Sequence, residues 1–292
     1  MKNDAPLFPS PGAPSASRAI GAILVDSGRL TPENAERILR MHKKLGIRFG
    51  DAAVQLGLLT ADDIRYALSH QFDYSYLPAR DPSLSTELVA AYAPFSKVVE
   101  QLRALRSQLM LRWFDAEAQR KALAIVSPGP GDGRSFIAAN LAVVFSQLGE
   151  RTLLIDADLR RPRQHQIFKL RNEMGLSSML AGRAGAEVVM RIPSLLALSV
   201  LPSGPVPPNP QELLGRQVFS DALQSLSAGF DIVIIDTPCG TSYADAQTVA
   251  VRAGAAILLA RENRSLVPQV AQLMRSLQQA GATLVGSVIN DV

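Results

Sequence analysis

From residue 121 onward, short aliphatic and β-branched runs alternate with longer stretches of helical spacing. The runs at 123–126, 152–155, 197–201, 232–235, 255–259 and 284–288 are short, mostly apolar and bounded by turn residues, as strands of a sheet covered on both faces require. Between them, residues 135–148, 210–226 and 267–279 carry apolar positions at helical intervals. This order predicts an α/β fold, a mostly parallel sheet with helices on both faces. A further helix is expected over 97–113, with Val98, Leu102, Leu105 and Leu109 on one side and Arg103, Arg106 and Arg112 elsewhere.

The first part of the chain follows a different pattern. Gly21, Gly28, Leu30 and Thr31 recur as Gly50, Gly57, Leu59 and Thr60, each after a step of 29 residues, so one unit is present twice. In each copy a Gly-bounded apolar stretch leads to a helix start, Thr31-Pro32-Glu33 or Thr60-Ala61-Asp62, with Thr as N-cap and acidic residues in the first turn. The expected organisation is a disordered leader over 1–17, rich in Pro, Ser, Gly and Ala; a small helical tandem-repeat domain over 18–78; a connection over 79–95, in which 85–92 forms a short helix capped by Ser85; and the α/β domain over 96–292.

Composition narrows the class. At 47% hydrophobic and 19% charged over 292 residues the chain has ample material for a core. Thirty basic against twenty-six acidic residues give a net charge of +4, with no basic cluster, so nucleic acid is not an expected partner. A single cysteine, Cys239, excludes an intrachain disulfide, and the scattered His42, His70 and His165 have no metal-site spacing. No apolar run reaches the roughly 18 residues of a membrane span, and the start is not a signal peptide, so a cytoplasmic protein is expected.

The chemistry lies at the strand ends. The first strand leads through Ser127-Pro128-Gly129-Pro130-Gly131-Asp132-Gly133-Arg134-Ser135 into a helix. Glycines there let backbone N–H groups converge on phosphate oxygens, and the helix N-terminus favours anions. Against Gly-x-x-x-x-Gly-Lys-Ser/Thr, Pro128 stands at the first Gly position and Arg134 at the Lys position. Arginine keeps the charge but carries it on a bulkier planar fork, and Ser135 supplies the hydroxyl that Mg²⁺ uses. The second strand ends in Asp156-Ala157-Asp158-Leu159-Arg160 and a later one in Asp236-Thr237-Pro238. Carboxylates at the C-terminal ends of neighbouring parallel strands lie on the edge where such sheets bind ligands.

Taken together these residues resemble the bacterial tyrosine kinases (BY-kinases), a branch of the deviant P-loop ATPases that also includes MinD- and ParA-type proteins. Asp156, Asp158 and Arg160 match the branch's Asp-x-Asp-x-Arg motif, and 234–238 is similar to its hydrophobic-Asp-x-x-Pro motif with the Pro one place early. Gly129 stands where MinD and ParA ATPases carry a signature lysine, which favours the kinase branch. The loop and helix start over 201–214 looks typical of those kinases, as does Glu100-Gln101-Leu102-Arg103-Ala104-Leu105-Arg106, which fits the Glu-x-x-Arg-x-x-Arg helix of their rings. Within the family the likeness is to the EpsG-type kinases of exopolysaccharide operons.

The resemblance implies ATP and Mg²⁺ as cofactors, with Gly129, Gly131, Asp132, Gly133, Arg134, Ser135 and Phe136 around the nucleotide and Asn290 at the adenine. It implies Ser135, Asp158 and Asp236 around the metal, and Arg134, Asp156 and Asp158 as catalytic residues, with Asp156 the base for a tyrosine hydroxyl. It further implies a membrane-embedded polysaccharide chain-length-determinant partner that recruits the chain to the inner membrane, and a homo-oligomer through Glu100, Arg103 and Arg106. The plain alternative for that helix is an exposed Glu100–Arg103 ion pair. Two other functions stay open: a nucleotide-binding regulatory pseudokinase subunit, which Arg134 favours, and a MinD/ParA-like positioning ATPase.

The second N-terminal copy, with Arg48-Phe49-Gly50, Val54, Gly57, Leu58-Leu59, Ile64, Leu68 and Gln71, resembles the N-terminal domain of type II secretion and type IV pilus ATPases, some of which bind cyclic di-GMP. The first copy has Ala19, Ala35 and His42 at the Arg48, Ile64 and Gln71 positions; a helical docking module without ligand is the other reading. Five tyrosines are present, Tyr66, Tyr74, Tyr76, Tyr92 and Tyr243, and none follows Tyr243, whereas BY-kinases typically extend into a tyrosine-rich tail.

Overall fold

The computed structural model describes residues 19–71, 77, 81–115 and 117–291. The expected leader over 1–17, the expected domain boundary at 78/79, and Tyr74 and Tyr76 lie outside the described residues. The chain divides into two units, Met1–Arg80 and Asp81–Val292.

In the first unit the 29-residue step becomes geometry. Helices α1 (Ile20–Asp26) and α2 (Pro32–Leu45) recur as α3 (Phe49–Gln55) and α4 (Ala61–Gln71). The apolar stretches expected only to lead into helices are therefore helices themselves. Helix α1 packs on α4 and α2 on α3, so the first helix of each copy packs on the second helix of the other. The buried core consists of four pairs one step apart, Ile23/Ala52, Leu24/Ala53, Leu30/Leu59 and Ile38/Ala67. The repeated glycines have distinct duties. Gly28 and Gly57 hold φ of +70° and +64° at the ends of the first helices, where a side chain is disfavoured, while a Cβ on Gly50 would lie 3.0 Å from Ile64 Cγ2. Thr31 Oγ1 accepts from Asn34 N at 3.3 Å, and Thr60 with Asp63 forms a reciprocal capping box. Asp63 also meets Arg29 at 2.7 Å, and the Arg29 guanidinium lies 4.0 Å from the Tyr66 ring centre, tying one copy to the other.

The second unit is a seven-stranded sheet flanked by helices. Its strands are β1 (Ala122–Val126), β2 (Thr152–Asp156), β3 (Met190–Arg191), β4 (Leu198–Leu201), β5 (Ile232–Asp236), β6 (Ala255–Arg261) and β7 (Thr283–Asn290), in the order β3-β4-β2-β5-β1-β6-β7. All pair in parallel except β3, a two-residue antiparallel edge strand absent from the sequence reading. Its helices are α5 (Val89–Tyr92), α6 (Lys97–Arg112), α7 (Arg134–Ser146), α8 (Gln164–Ile167), α9 (Leu176–Leu180), α10 (Pro210–Gly215), α11 (Gln217–Ser227), α12 (Asp245–Ala253) and α13 (Val267–Gln279). The single helix expected over 210–226 breaks at Arg216, whose ψ of 154° is extended, and the Gly215 carbonyl so released accepts from Arg252 Nη2 at 2.8 Å.

Helix α7 is buried on every side from Ile137 to Ser146, as its apolar composition requires. Asn140, at its centre, accepts from Ala90 N at 2.9 Å and donates to the Glu87 carbonyl at 2.9 Å, and Gln147 Nε2 donates to Ala90 O at 2.9 Å. Residues 81–93, expected within a connection, are thus part of the second unit, with Leu84, Leu88, Ala90 and Ala91 buried. The short helix there starts at Val89 after Leu88, and Ser85 instead closes a turn by accepting from Glu87 N at 3.3 Å.

Candidate functional site

The C-terminal ends of β1, β2 and β5 bring the three motifs to one edge. Asp156 and Asp236 are register partners across β2 and β5, and Ile125, one residue before the end of β1, pairs with Asp236. The loop after β1 therefore opens beside both carboxylates.

This phosphate loop is fixed largely by its own polar groups. Gly131 and Gly133 hold φ of +75° and +100°. Asp132 is buried, with Oδ2 accepting from Gly129 N at 2.7 Å and Oδ1 from Ser265 Oγ at 3.1 Å, so it braces the loop from within. Arg261 Nη1 donates to Gly131 O at 3.1 Å, and Asn290 Nδ2 to Asp132 O at 3.0 Å. On the other side Thr241 Oγ1 donates to Pro128 O at 2.6 Å. Arg134 folds back: its guanidinium donates to Thr237 O at 2.8 Å, to Gly129 O at 2.7 Å and to the Ser127 hydroxyl. The cation at the Lys position is thus held by loop oxygens.

The carboxylates differ in environment. Asp156 is fully buried and accepts from the backbone N–H groups of Asp158, Arg163 and Gln164 at 3.2, 3.0 and 2.9 Å. Burial, then the adjacent Asp236, hold its pKa well above the ordinary carboxylate range. Asp158 keeps 8% exposure, and its Oδ1 accepts from Arg160 N and Arg161 N at 3.2 and 2.9 Å. Asp236 is fully buried, and burial lifts its pKa to about 6 against the opposing pull of the Ser135 hydroxyl, the Gln164 amide and the Arg134 charge. Its Oδ2 accepts from Gln164 Nε2 at 2.8 Å, whereas Oδ1 is buried with no hydrogen-bond partner. An ionised oxygen without a donor suits a hard cation, and Ser135 completes the oxygen set. Among the described residues no group of three or more His, Cys, Asp or Glu forms a metal cage; Mg²⁺ in phosphate sites takes one or two carboxylates with substrate oxygens and water.

Phe136 and Asn290 line a cleft of about 470 Å³ together with Val98, Leu102 and Leu105 of α6 and Glu262. Its wall mixes these apolar side chains with polar ones, Gln101, Ser287 and Asp291 besides Glu262 and Asn290, a surface that offers a nucleobase both packing and hydrogen bonds. On α6 the Glu100–Arg103 pair forms within the helix at 3.1 Å with Glu100 exposed, while Arg106 Nη1 donates to Val144 O at 2.7 Å. Of the motif residues, Arg160 pairs in two bonds with buried Asp245, at 2.7 and 3.2 Å, and its guanidinium lies 3.7 Å from the Tyr243 ring centre. Tyr243 is 42% exposed, whereas the Tyr92 hydroxyl is held by Asp81 O at 2.8 Å and Leu84 N at 3.2 Å. Sequence reasoning missed Gln164, Thr241, Arg261 and Ser265. Isolated polar residues in loops, as Thr241 and Ser265 are, or at the ends of elements, as Gln164 and Arg261 are, carry no spacing signal.

Comparison with known proteins gives this arrangement a family. Residues 124–268 match the family described as "ATPase MipZ". The chain is 36% identical over 211 residues to the tyrosine-protein kinase YwqD of Bacillus subtilis (strain 168), covering 72% of this chain and 88% of that one. The structure of the kinase domain of the Escherichia coli tyrosine kinase ETK superposes with a TM-score of 0.66 at 33% identity, over 75% of this chain and 81% of that one. The Pyrococcus furiosus cell division ATPase MinD shares the fold more distantly, with a TM-score of 0.52 at 26% identity over 58% and 71% of the two chains. A phosphate loop and two carboxylate-tipped strands on a parallel sheet, in a chain this similar to YwqD over most of both lengths, place the protein in the bacterial tyrosine-protein kinase family.

Proposed function

We propose that the chain is an ATP- and Mg²⁺-dependent protein-tyrosine kinase that regulates exopolysaccharide chain length, polymerisation and export with a membrane-embedded chain-length-determinant partner. The observation that carries the catalytic reading is the unpartnered Asp236 Oδ1 at the phosphate loop, in register with Asp156. Ser135, Asp158 and Asp236 would hold Mg²⁺, which when bound neutralises phosphate charge. The loop N–H groups and the start of α7 orient the phosphates, Arg134 supplies a further cation once its loop oxygens release it, and the cleft beside Phe136 and Asn290 takes the base. The base expected at Asp156 is reassigned in this reading to Asp158, which keeps an exposed edge that a tyrosine hydroxyl can reach, because Asp156 is fully buried and holds the backbone of the 158–164 segment. Assembly through α6 would engage the exposed Glu100, since Arg106 is bonded within the chain. No helix among the described residues is long and apolar enough to cross a membrane, so recruitment would depend on the partner.

Incubation with MgATP and the partner's cytoplasmic segment should yield phosphotyrosine by mass spectrometry; its absence sinks the kinase reading. The Arg134 contacts favour a second reading, a nucleotide-bound regulatory subunit. Under it Arg134→Lys creates phosphotransfer that the native chain lacks; under the first, Arg134→Lys changes an existing rate. For the N-terminal unit, cyclic di-GMP binding follows only from the resemblance of 48–71, and calorimetric titration of the full chain with that dinucleotide should give heat that Arg48→Ala removes.

A further inference from the structure

Gln164 belongs to none of the motifs, yet it touches all three of their segments. Its main-chain N–H donates to Asp156 Oδ2 at 2.9 Å, at the end of β2. Its side-chain Nε2 donates to Ser135 O at 3.1 Å, in the first turn of α7, and to Asp236 Oδ2 at 2.8 Å, at the end of β5. Both neighbours of Nε2 are acceptors, which fixes the orientation of the amide, because a flip would set oxygen against oxygen. The residue is 0% exposed, and its Oε1 is buried without a partner, as is Asp236 Oδ1. Two buried acceptors with nothing to accept from, on side chains joined by one hydrogen bond, form half of a site. A divalent cation and its bound water are the complement, since they offer charge and donors to oxygens alone.

We propose that Gln164 is a positioning residue for the divalent cation of this site. Its Nε2 fixes the rotation of the Asp236 carboxylate, leaving Oδ1 for the cation, and its Oε1 accepts from cation-bound water. The inference rests on the Mg²⁺–nucleotide reading above and adds to it a residue outside the motifs. Outer-shell groups of this kind typically set metal affinity within a factor of about 10–100.

The test is binding of a fluorescent N-methylanthraniloyl ATP to the full chain, with Mg²⁺ titrated in and separately in EDTA. Gln164→Met keeps the length and removes donors and acceptor. It should raise the half-saturating Mg²⁺ concentration about tenfold or more, while affinity in EDTA stays within about twofold because the loop N–H groups are untouched. A purely structural glutamine would lower both affinities by the same factor, and that result, or no change in either, overturns the proposal. If circular dichroism shows Gln164→Met unfolded, Gln164→Glu decides. It keeps size and an oxygen, loses the donors and sets a negative charge beside Asp236, so binding should weaken in EDTA and recover with Mg²⁺; equal loss in both overturns the proposal. A native chain that binds ATP no better with Mg²⁺ than in EDTA overturns the Mg²⁺ reading, and this inference with it. A native chain that does, beside a Gln164→Met that matches it, overturns this inference alone.

Discussion

Asp236→Asn should make the nucleotide-free protein more heat-stable at pH 7.5 and at the same time abolish Mg²⁺-dependent nucleotide binding. The Asp236 carboxyl titrates near pH 6 in the folded chain against an ordinary 3.8, so folding favours its protonated form. For a group shifted upward, the stabilisation is fully present below the ordinary pKa and is lost as pH rises through the folded one. At pH 7.5 the native state therefore holds a buried charge that costs roughly 3 kcal/mol, taking about 1.4 kcal/mol per pH unit. Asparagine removes the charge, keeps an acceptor for Gln164, and leaves one amide group short of a partner at about 1 kcal/mol. The net gain of about 2 kcal/mol corresponds to a rise of about 4–8 °C in Tm for a unit of this size. Melting curves from pH 5 to 8 should show the native chain losing stability through pH 6, and Asp236→Asn losing less. A flat native profile, or an Asn variant that melts lower at pH 7.5, would contradict this account.

Gly133→Ala should cost the loop about 100-fold in nucleotide affinity with little change in overall fold. Gly133 holds φ of +100°, where an L side chain is strained, and its Cβ would lie 2.3 Å from Asn290 Nδ2, far inside contact distance. Asn290 must leave the Asp132 carbonyl, or the first turn of α7 must move. A strain of up to about 3 kcal/mol, if drawn from binding, is roughly two powers of ten. Adding Asn290→Ala removes the collision and leaves the φ penalty. The double variant should recover part of the affinity by the same fluorescence titration, and a single variant of native affinity would show that the loop has slack the contacts do not suggest.

The two effects differ in how far the sequence announced them. Strands β1, β2 and β5 were readable because continuous apolar runs have one comfortable place, inside a parallel sheet, and their terminal Asp156 and Asp236 follow from position alone. Helix α12 was missed because its buried face, Asp245, Ala246, Val249 and Ala250, is mostly small or polar while its one exposed residue, Val251, is apolar, and β3 because two residues carry no period. What no spacing encodes is the direction in which polar groups spend their hydrogen bonds. Arg134 reads as a cation aimed at a ligand and is found on its own loop's carbonyls; Asp132 reads as a loop residue facing phosphate and is found bracing Gly129. Gln164 was invisible because its importance comes from the meeting of three segments far apart in the chain.

The N-terminal core pairs carry a consequence for how its two copies relate. In three of the four, Ile23/Ala52, Leu24/Ala53 and Ile38/Ala67, the first copy supplies a large side chain and the second an alanine. At the rim of the same core the bias reverses, with Ala35 in the first copy set against Ile64 in the second. Because close-packed interiors penalise both voids and crowding, bulk in one copy is matched by room in the other at each of these positions. The two halves therefore fit each other, and exchanging one side of a pair without the other would leave a void or a clash.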